Sequence, residues 1–143
     1  MYQKILVALE NSRADESLLP HVSQLARQLH SELVLLHVAD GWAARNYDRL
    51  QLAESEEMKA DRRYLDQTAD QLRGEGLRVE SRLALGEPAR EILKIAESEH
   101  CDLIAMTSHG HRLLGDLIFG STIHEVRHST SIPVLLVRAA RIS

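Results

Sequence analysis

The chain has 143 residues and a mass of 16.1 kDa, with 44% hydrophobic and 27% charged residues, a balance that fits one globular domain spanning 1–143 and lies far from the charge-rich, apolar-poor composition of a disordered chain. A net charge of -4 and a pI near 6.0 argue against a partner built on a phosphate backbone, so no nucleic acid is expected. One Phe, one Trp and three Tyr leave an aliphatic core and no base-stacking platform, and the single cysteine, Cys101, cannot form an internal disulfide.

The opening Met1-Tyr2-Gln3-Lys4 leads into an apolar run, Ile5 to Leu9, too short to cross a membrane and without a small-residue cleavage site. A cytoplasmic protein with no membrane insertion is expected. Asp15 to His30 follows with Leu18, Val22, Leu25, Ala26 and Leu29 at helical steps, and Pro20 within it predicts a late start or a bend. Leu33 to Val38 reads as a strand buried on both faces. Asp48 to Arg73 reads as a long helix whose charges from Glu54 to Arg63 form a solvated face, ending at Gly74-Glu75-Gly76. Leu77 to Leu85 alternates imperfectly and is expected at a sheet edge. Gly86-Glu87-Pro88 opens a third helix, with proline in its first turn. Leu103 to Met106 and Ile132 to Val137 are further buried strands, separated by a short helix after Gly120-Ser121. Alternation of strand and helix implies right-handed crossovers and a doubly wound five-stranded parallel α/β sheet with helices on both faces. Such sheets bind ligands at the carboxyl ends of the strands, where the winding reverses.

The segment from Met106 to Thr122 is rich in glycine. Gly110 permits close backbone approach, and Gly120-Ser121-Thr122 puts amides and two hydroxyls at a helix start, the makings of an anion site. Spacing alone leaves open the plainer alternative of a helix cap and a turn. His124 and His128 share a helix face, yet two imidazoles make a partial metal site at best, so no metal is assigned. Trp42 is read as a rim residue and Cys101 as a small buried hydrophobe.

Four segments together resemble the universal stress protein family across essentially the whole chain. They are Lys4 to Ser12, Leu35-Leu36-His37-Val38, Gly86-Glu87-Pro88 with Ile92 and Ala96, and the loop in which nine residues separate Gly110 from Gly120-Ser121. The sequence departs from the family's nucleotide-binding pattern twice, with Thr107 in place of the loop's first glycine and Glu10 in place of an aspartate. The resemblance implies a Rossmann-like fold of the adenine-nucleotide alpha-hydrolase type, strand order 3-2-1-4-5. It further implies ATP, ADP or AMP as ligand, with or without Mg²⁺. Adenine would lie against Ala8, Leu9 and Val38, and ribose near Glu10, Met106 and Thr107. Phosphates would sit on Gly110, Gly120, Ser121 and Thr122, and by their position His111 and Arg112 would add positive charge there.

The implied protein is a stress-related, nucleotide-regulated homodimer joined through Ile132 to Val137, with no catalytic residues and hydrolysis weak or absent. Two alternatives remain open at this stage. One is a nucleotide-free module acting on a transporter or kinase, and the other is a slow Mg²⁺-dependent ATPase using His111 or Glu10.

Overall fold

The apolar runs pair side by side in one parallel sheet. The computed structural model describes residues 1–39, 51–109 and 120–140, with backbone alone at 51–55 and 57. Among these residues lie β1 (Lys4–Leu9), α1 (Asp15–Leu29), β2 (Glu32–Ala39), α2 (Gln51–Gly74), β3 (Arg78–Leu85), α3 (Pro88–Ser98), β4 (Leu103–Ser108), α4 (Gly120–Ser129) and β5 (Val134–Arg138). Every pairing is parallel and the order is β3-β2-β1-β4-β5. This is the expected doubly wound, Rossmann-like α/β fold, and its winding reverses between β1 and β4.

Alternation along the strands sorts the core into two layers. Ile5, Val7, Leu9, Leu33, Leu35, Leu103 and Ala105 face α1 and α2, meeting Leu18, Val22, Ala26, Leu65, Ala69 and Leu72. Leu6, Ala8, Val34, Leu36, Ile104 and Met106 face α3 and α4, meeting Ala89, Ile92, Ala96 and Val126. Each fully buried leucine contributes about 2 kcal/mol through burial, so these aliphatic layers carry the fold with few aromatics.

Helix α1 does not start late. It runs from Asp15 through Pro20, which is exposed, so the Glu16 carbonyl that loses its partner faces water. Three helices end the same way, with a left-handed residue and a backbone bond that closes the last turn. His30 (φ 58) follows α1 with Ser31 N on Ala26 O at 2.9 Å, and His100 (φ 58) follows α3 with Cys101 N on Ala96 O at 2.9 Å. Gly76 (φ 95) follows α2, with Leu77 N on Leu72 O at 3.2 Å. At the start of α3, the Glu87 carboxylate accepts from Ala89 N and Arg90 N, with Pro88 next in line.

β3 is an edge strand, as its alternation predicts. Arg73 of α2 covers it by donating Nε and Nη2 to the Val79 carbonyl at 2.9 and 2.7 Å. The other edge is β5. It begins at Val134 rather than Ile132, because Pro133 has no N–H to give the ladder, although its carbonyl accepts from Ile104 N at 3.0 Å. Leu136 on β5 is 39% exposed. Among the described residues, no helix is long and apolar enough to cross a membrane.

Candidate functional site at the switch point

The reversal of winding leaves a crevice between the carboxyl ends of β1 and β4. Glu10 follows β1 directly and is 1% exposed, and its Oε2 lies 2.6 Å from Nε2 of His109, which follows β4. Beside it, on the α3 side, is a small cleft with a cavity volume of about 10 Å³, lined by Ala8, Leu9, Glu10, Leu36, His37, Val38, Pro88 and Ile92. Six of these eight residues are aliphatic or proline and two, Glu10 and His37, are polar, so the lining is mostly apolar with a few polar groups, the composition of a small-molecule site.

The structure brings together several residues singled out from the sequence. Ala8, Leu9, Glu10 and Val38 all line the cleft, and Met106 is buried in the same layer. Gly120, Ser121 and Thr122 form the first turn of α4, which begins at Gly120 and not after Ser121 as expected. A helix between parallel strands runs opposite to them, so this turn stands at the carboxyl edge of the sheet, on the face that carries the cleft. A Cβ placed on Gly120 meets no described atom within 4 Å. Gly110, His111, Arg112 and Trp42 lie outside the described residues.

Thr107 behaves differently from the expectation that its side chain would crowd a ligand. It is fully buried, and alternation with Leu103 and Ala105 turns its side chain toward the α1 layer, away from the cleft. Its Oγ1 has no hydrogen-bond partner among the described residues.

A polar network behind the cleft went unread in the sequence. Asp15 accepts from Glu10 N and Asn11 N, both at 2.9 Å, and from the Tyr64 hydroxyl at 2.5 Å. Burial, then this contact with Asp15, pushes the Tyr64 phenol far above its ordinary value of 10.0. Asp61 of α2 accepts from Asn11 Nδ2 at 2.6 Å and lies 3.6 Å from His37 Nε2. His37 Nδ1 in turn donates to the Leu9 carbonyl at 3.1 Å. Asp61 belonged to the charges expected in solvent, yet it is buried. The available signal was a histidine inside the otherwise apolar run Leu33 to Val38, since a buried imidazole needs partners.

Elsewhere the histidines and cysteine offer less. His124 and His128 are exposed with ring centroids 4.1 Å apart, and no group of three metal-ligating side chains occurs among the described residues. Burial pushes the Cys101 thiol up to about 11, keeping it from the reactive thiolate form.

The model of the Universal stress protein family matches residues 1–138. The chain belongs to this family. A universal stress protein of Methanocaldococcus jannaschii, MJ0577, is 30% identical over 96% of both chains, and its solved structure superposes with a TM-score of 0.85 over 99% of both. A universal stress protein from Archaeoglobus fulgidus in complex with dAMP matches at a TM-score of 0.70 and 22% identity, covering 95% of this chain and 98% of that one. Another universal stress protein, in complex with cAMP, matches at 0.68 and 18% identity over 97% and 98%. These last two likenesses are likenesses of fold.

Proposed function

We propose that this universal stress protein binds an adenine nucleotide at the β1–β4 switch point. The observation that carries the reading is the aliphatic cleft at Ala8, Leu36, Val38, Pro88 and Ile92, with the Glu10 carboxylate at one end and the first turn of α4 on the same face. The base packs against the cleft, whose walls part to admit it, and the ribose hydroxyls approach Glu10 beside Met106 and Thr107. The phosphates take the amides and hydroxyls of Gly120, Ser121 and Thr122, where the helix dipole favours negative charge, together with Gly110, His111 and Arg112. Because the Thr107 side chain turns to the α1 layer, a ligand at the crevice meets its backbone, as it would meet that of a glycine. Family members in complex with dAMP and with cAMP support an adenine ring as the common element.

Within this reading ATP, ADP or AMP binds with or without Mg²⁺, hydrolysis is weak or absent, and bound nucleotide regulates a cytoplasmic single-domain protein. The chain forms a homodimer along β5, whose outer edge has no strand partner among the described residues. One observation favours the nucleotide-free alternative, a module acting on a protein partner: Glu10 is 1% exposed and already engaged with His109, so ribose must displace that contact.

Equilibrium dialysis against ATP, ADP, AMP, cAMP and GTP tests the proposal, with Val38→Phe to fill the cleft. Saturable binding of adenine nucleotides, lost in Val38→Phe and absent for GTP, supports it. No binding of any adenine nucleotide by the wild type overturns it.

A further inference from the structure

Three consecutive residues at the end of β1 carry polar groups that the neighbouring elements hold from behind the cleft. The Leu9 carbonyl accepts from His37 of β2, the amides of Glu10 and Asn11 donate to Asp15 of α1, and the Asn11 side chain donates to Asp61 of α2. Asn11 sits in the left-handed region at φ 57, a conformation that the two carboxylates sustain through its amide and its side chain. Asp15 and Asp61 are 1% and 9% exposed, and carboxylates that deeply buried are costly unless hydrogen-bonded, so the contacts they accept from this turn hold them as firmly as they hold the turn. Leu9, Glu10 and His37 also line the cleft, which makes the back of the network and the wall of the site the same residues.

We infer that Asp15, His37 and Asp61 are positioning residues of the nucleotide site, fixing the Leu9–Glu10–Asn11 turn so that Glu10 and the backbone beside it meet the ligand in one geometry. The inference rests on the function proposed above. Its physical content is preorganisation: a turn already held in its bound shape loses little freedom when ligand arrives. The two amides engage both oxygens of Asp15, and Tyr64 adds a third donor at Oδ2.

The chemistry dictates the variants. Asp61→Ala removes the acceptor for Asn11 and leaves His37 Nε2 facing a void. Asp61→Asn keeps an oxygen for Asn11 Nδ2, and its own amide donates to Nε2 of a neutral His37 whose Nδ1–H still serves the Leu9 carbonyl. Asn11→Gly deletes the side-chain contact and loosens the backbone of the turn, while keeping a residue at ease at positive φ. Ala69→Gly weakens the buried face of the same helix without touching the turn.

Two readouts on the full chain test the inference: the Kd of a fluorescent ATP analogue, and amide hydrogen exchange at Glu10 and Asn11 without ligand. Asp61→Ala and Asn11→Gly should bind at least about tenfold more weakly with faster exchange at both amides, Asp61→Asn should stay within about threefold of wild type, and Ala69→Gly should leave Kd and local exchange unchanged. Unchanged Kd in Asp61→Ala and Asn11→Gly, or equal weakening in Ala69→Gly, overturns the positioning role. If the wild type binds no nucleotide, the proposed function fails and exchange alone decides. Loss of protection confined to the turn variants then supports the clamp, and unaltered protection overturns it. Should Asp61→Ala not fold, Asn11→Gly carries the same comparison.

Discussion

Glu10 and His109 meet across the point where the sheet reverses its winding, with Oε2 of one 2.6 Å from Nε2 of the other. Their side chains are 1% and 11% exposed, so the contact is made largely out of water and ties the end of β1 to the end of β4. Removing His109 takes one hydrogen-bond partner from a buried carboxyl group, at a cost of roughly 2 kcal/mol. His109→Ala should therefore lower the free energy of unfolding in urea by about that amount, and His109→Gln, which keeps a donor, should recover part of it. An unchanged urea midpoint in His109→Ala would show that the contact is not maintained in solution.

Thr107 supplies a second test, because its hydroxyl is buried with no described partner while its methyl packs in the α1 layer. Thr107→Val keeps the shape and removes the unsatisfied group, so it should be neutral or stabilising by up to about 1 kcal/mol. Thr107→Gly should destabilise by roughly 1 kcal/mol through strand entropy and lost packing. Neither variant should change nucleotide affinity more than a few-fold, and calorimetric titration of both with ATP checks this.

Much of the fold was legible because the buried strands of a parallel sheet are continuous apolar runs, as at Ile5 to Leu9 and Leu103 to Met106. The cleft residues Ala8, Leu9 and Val38 followed from the family pattern and meet in space. What escaped notice is polar and long-range. Asp61 looks like any charge on a solvated helix, and only the packing of α2 against β2 turns it to His37 and Asn11. The direction of the Thr107 side chain likewise depends on strand parity, which is set by pairing partners far along the chain.

The left-handed histidines at the ends of α1 and α3 store strain that the glycine after α2 avoids. A non-glycine residue there costs about 1 kcal/mol. His30→Gly and His100→Gly should each raise stability by about 0.5 kcal/mol, with additive effects since the two turns share no hydrogen bond among the described residues. Thermal unfolding of the single and double variants measures both the sign and the additivity.

The amino ends of the strands carry a cluster that links stability to pH. A hydrogen bond from Lys4 holds the Glu99 carboxyl below its ordinary 4.5, with Arg82 adding to the effect. Burial raises Asp102, but the amides of Lys4 and Gln3, each at 3.0 Å, outweigh it and hold it below 3.8. Lowered folded-state values mean that this stability is complete above the ordinary carboxylate range and is lost as pH falls through the lower values of the folded protein. Urea midpoints between pH 6 and pH 3 should drop for the wild type, and the drop should be shallower in Glu99→Gln and Asp102→Asn. Identical slopes in all three would remove these groups from the acid limb.

The β5 edge makes the proposed dimer testable. A charge at Leu136, which is 39% exposed, or at Val134 should repel an apposed copy of the same strand. Leu136→Glu should sediment as a monomer under conditions in which the wild type sediments as a dimer. A dimer that persists in the variant assigns the interface to another surface.

The measurement that bears most directly on the central claim is native mass spectrometry of freshly purified protein, before and after addition of ATP and Mg²⁺, alongside Gly120→Val. A Cβ at this position meets no described atom within 4 Å, and the bulk of valine there would block phosphate approach to the first turn of α4, with circular dichroism checking that the variant is folded. The account predicts adenine nucleotide retained by or added to the wild type and absent from Gly120→Val. Wild-type protein that carries no nucleotide in either preparation, or a Gly120→Val variant that binds as well as wild type, would contradict it.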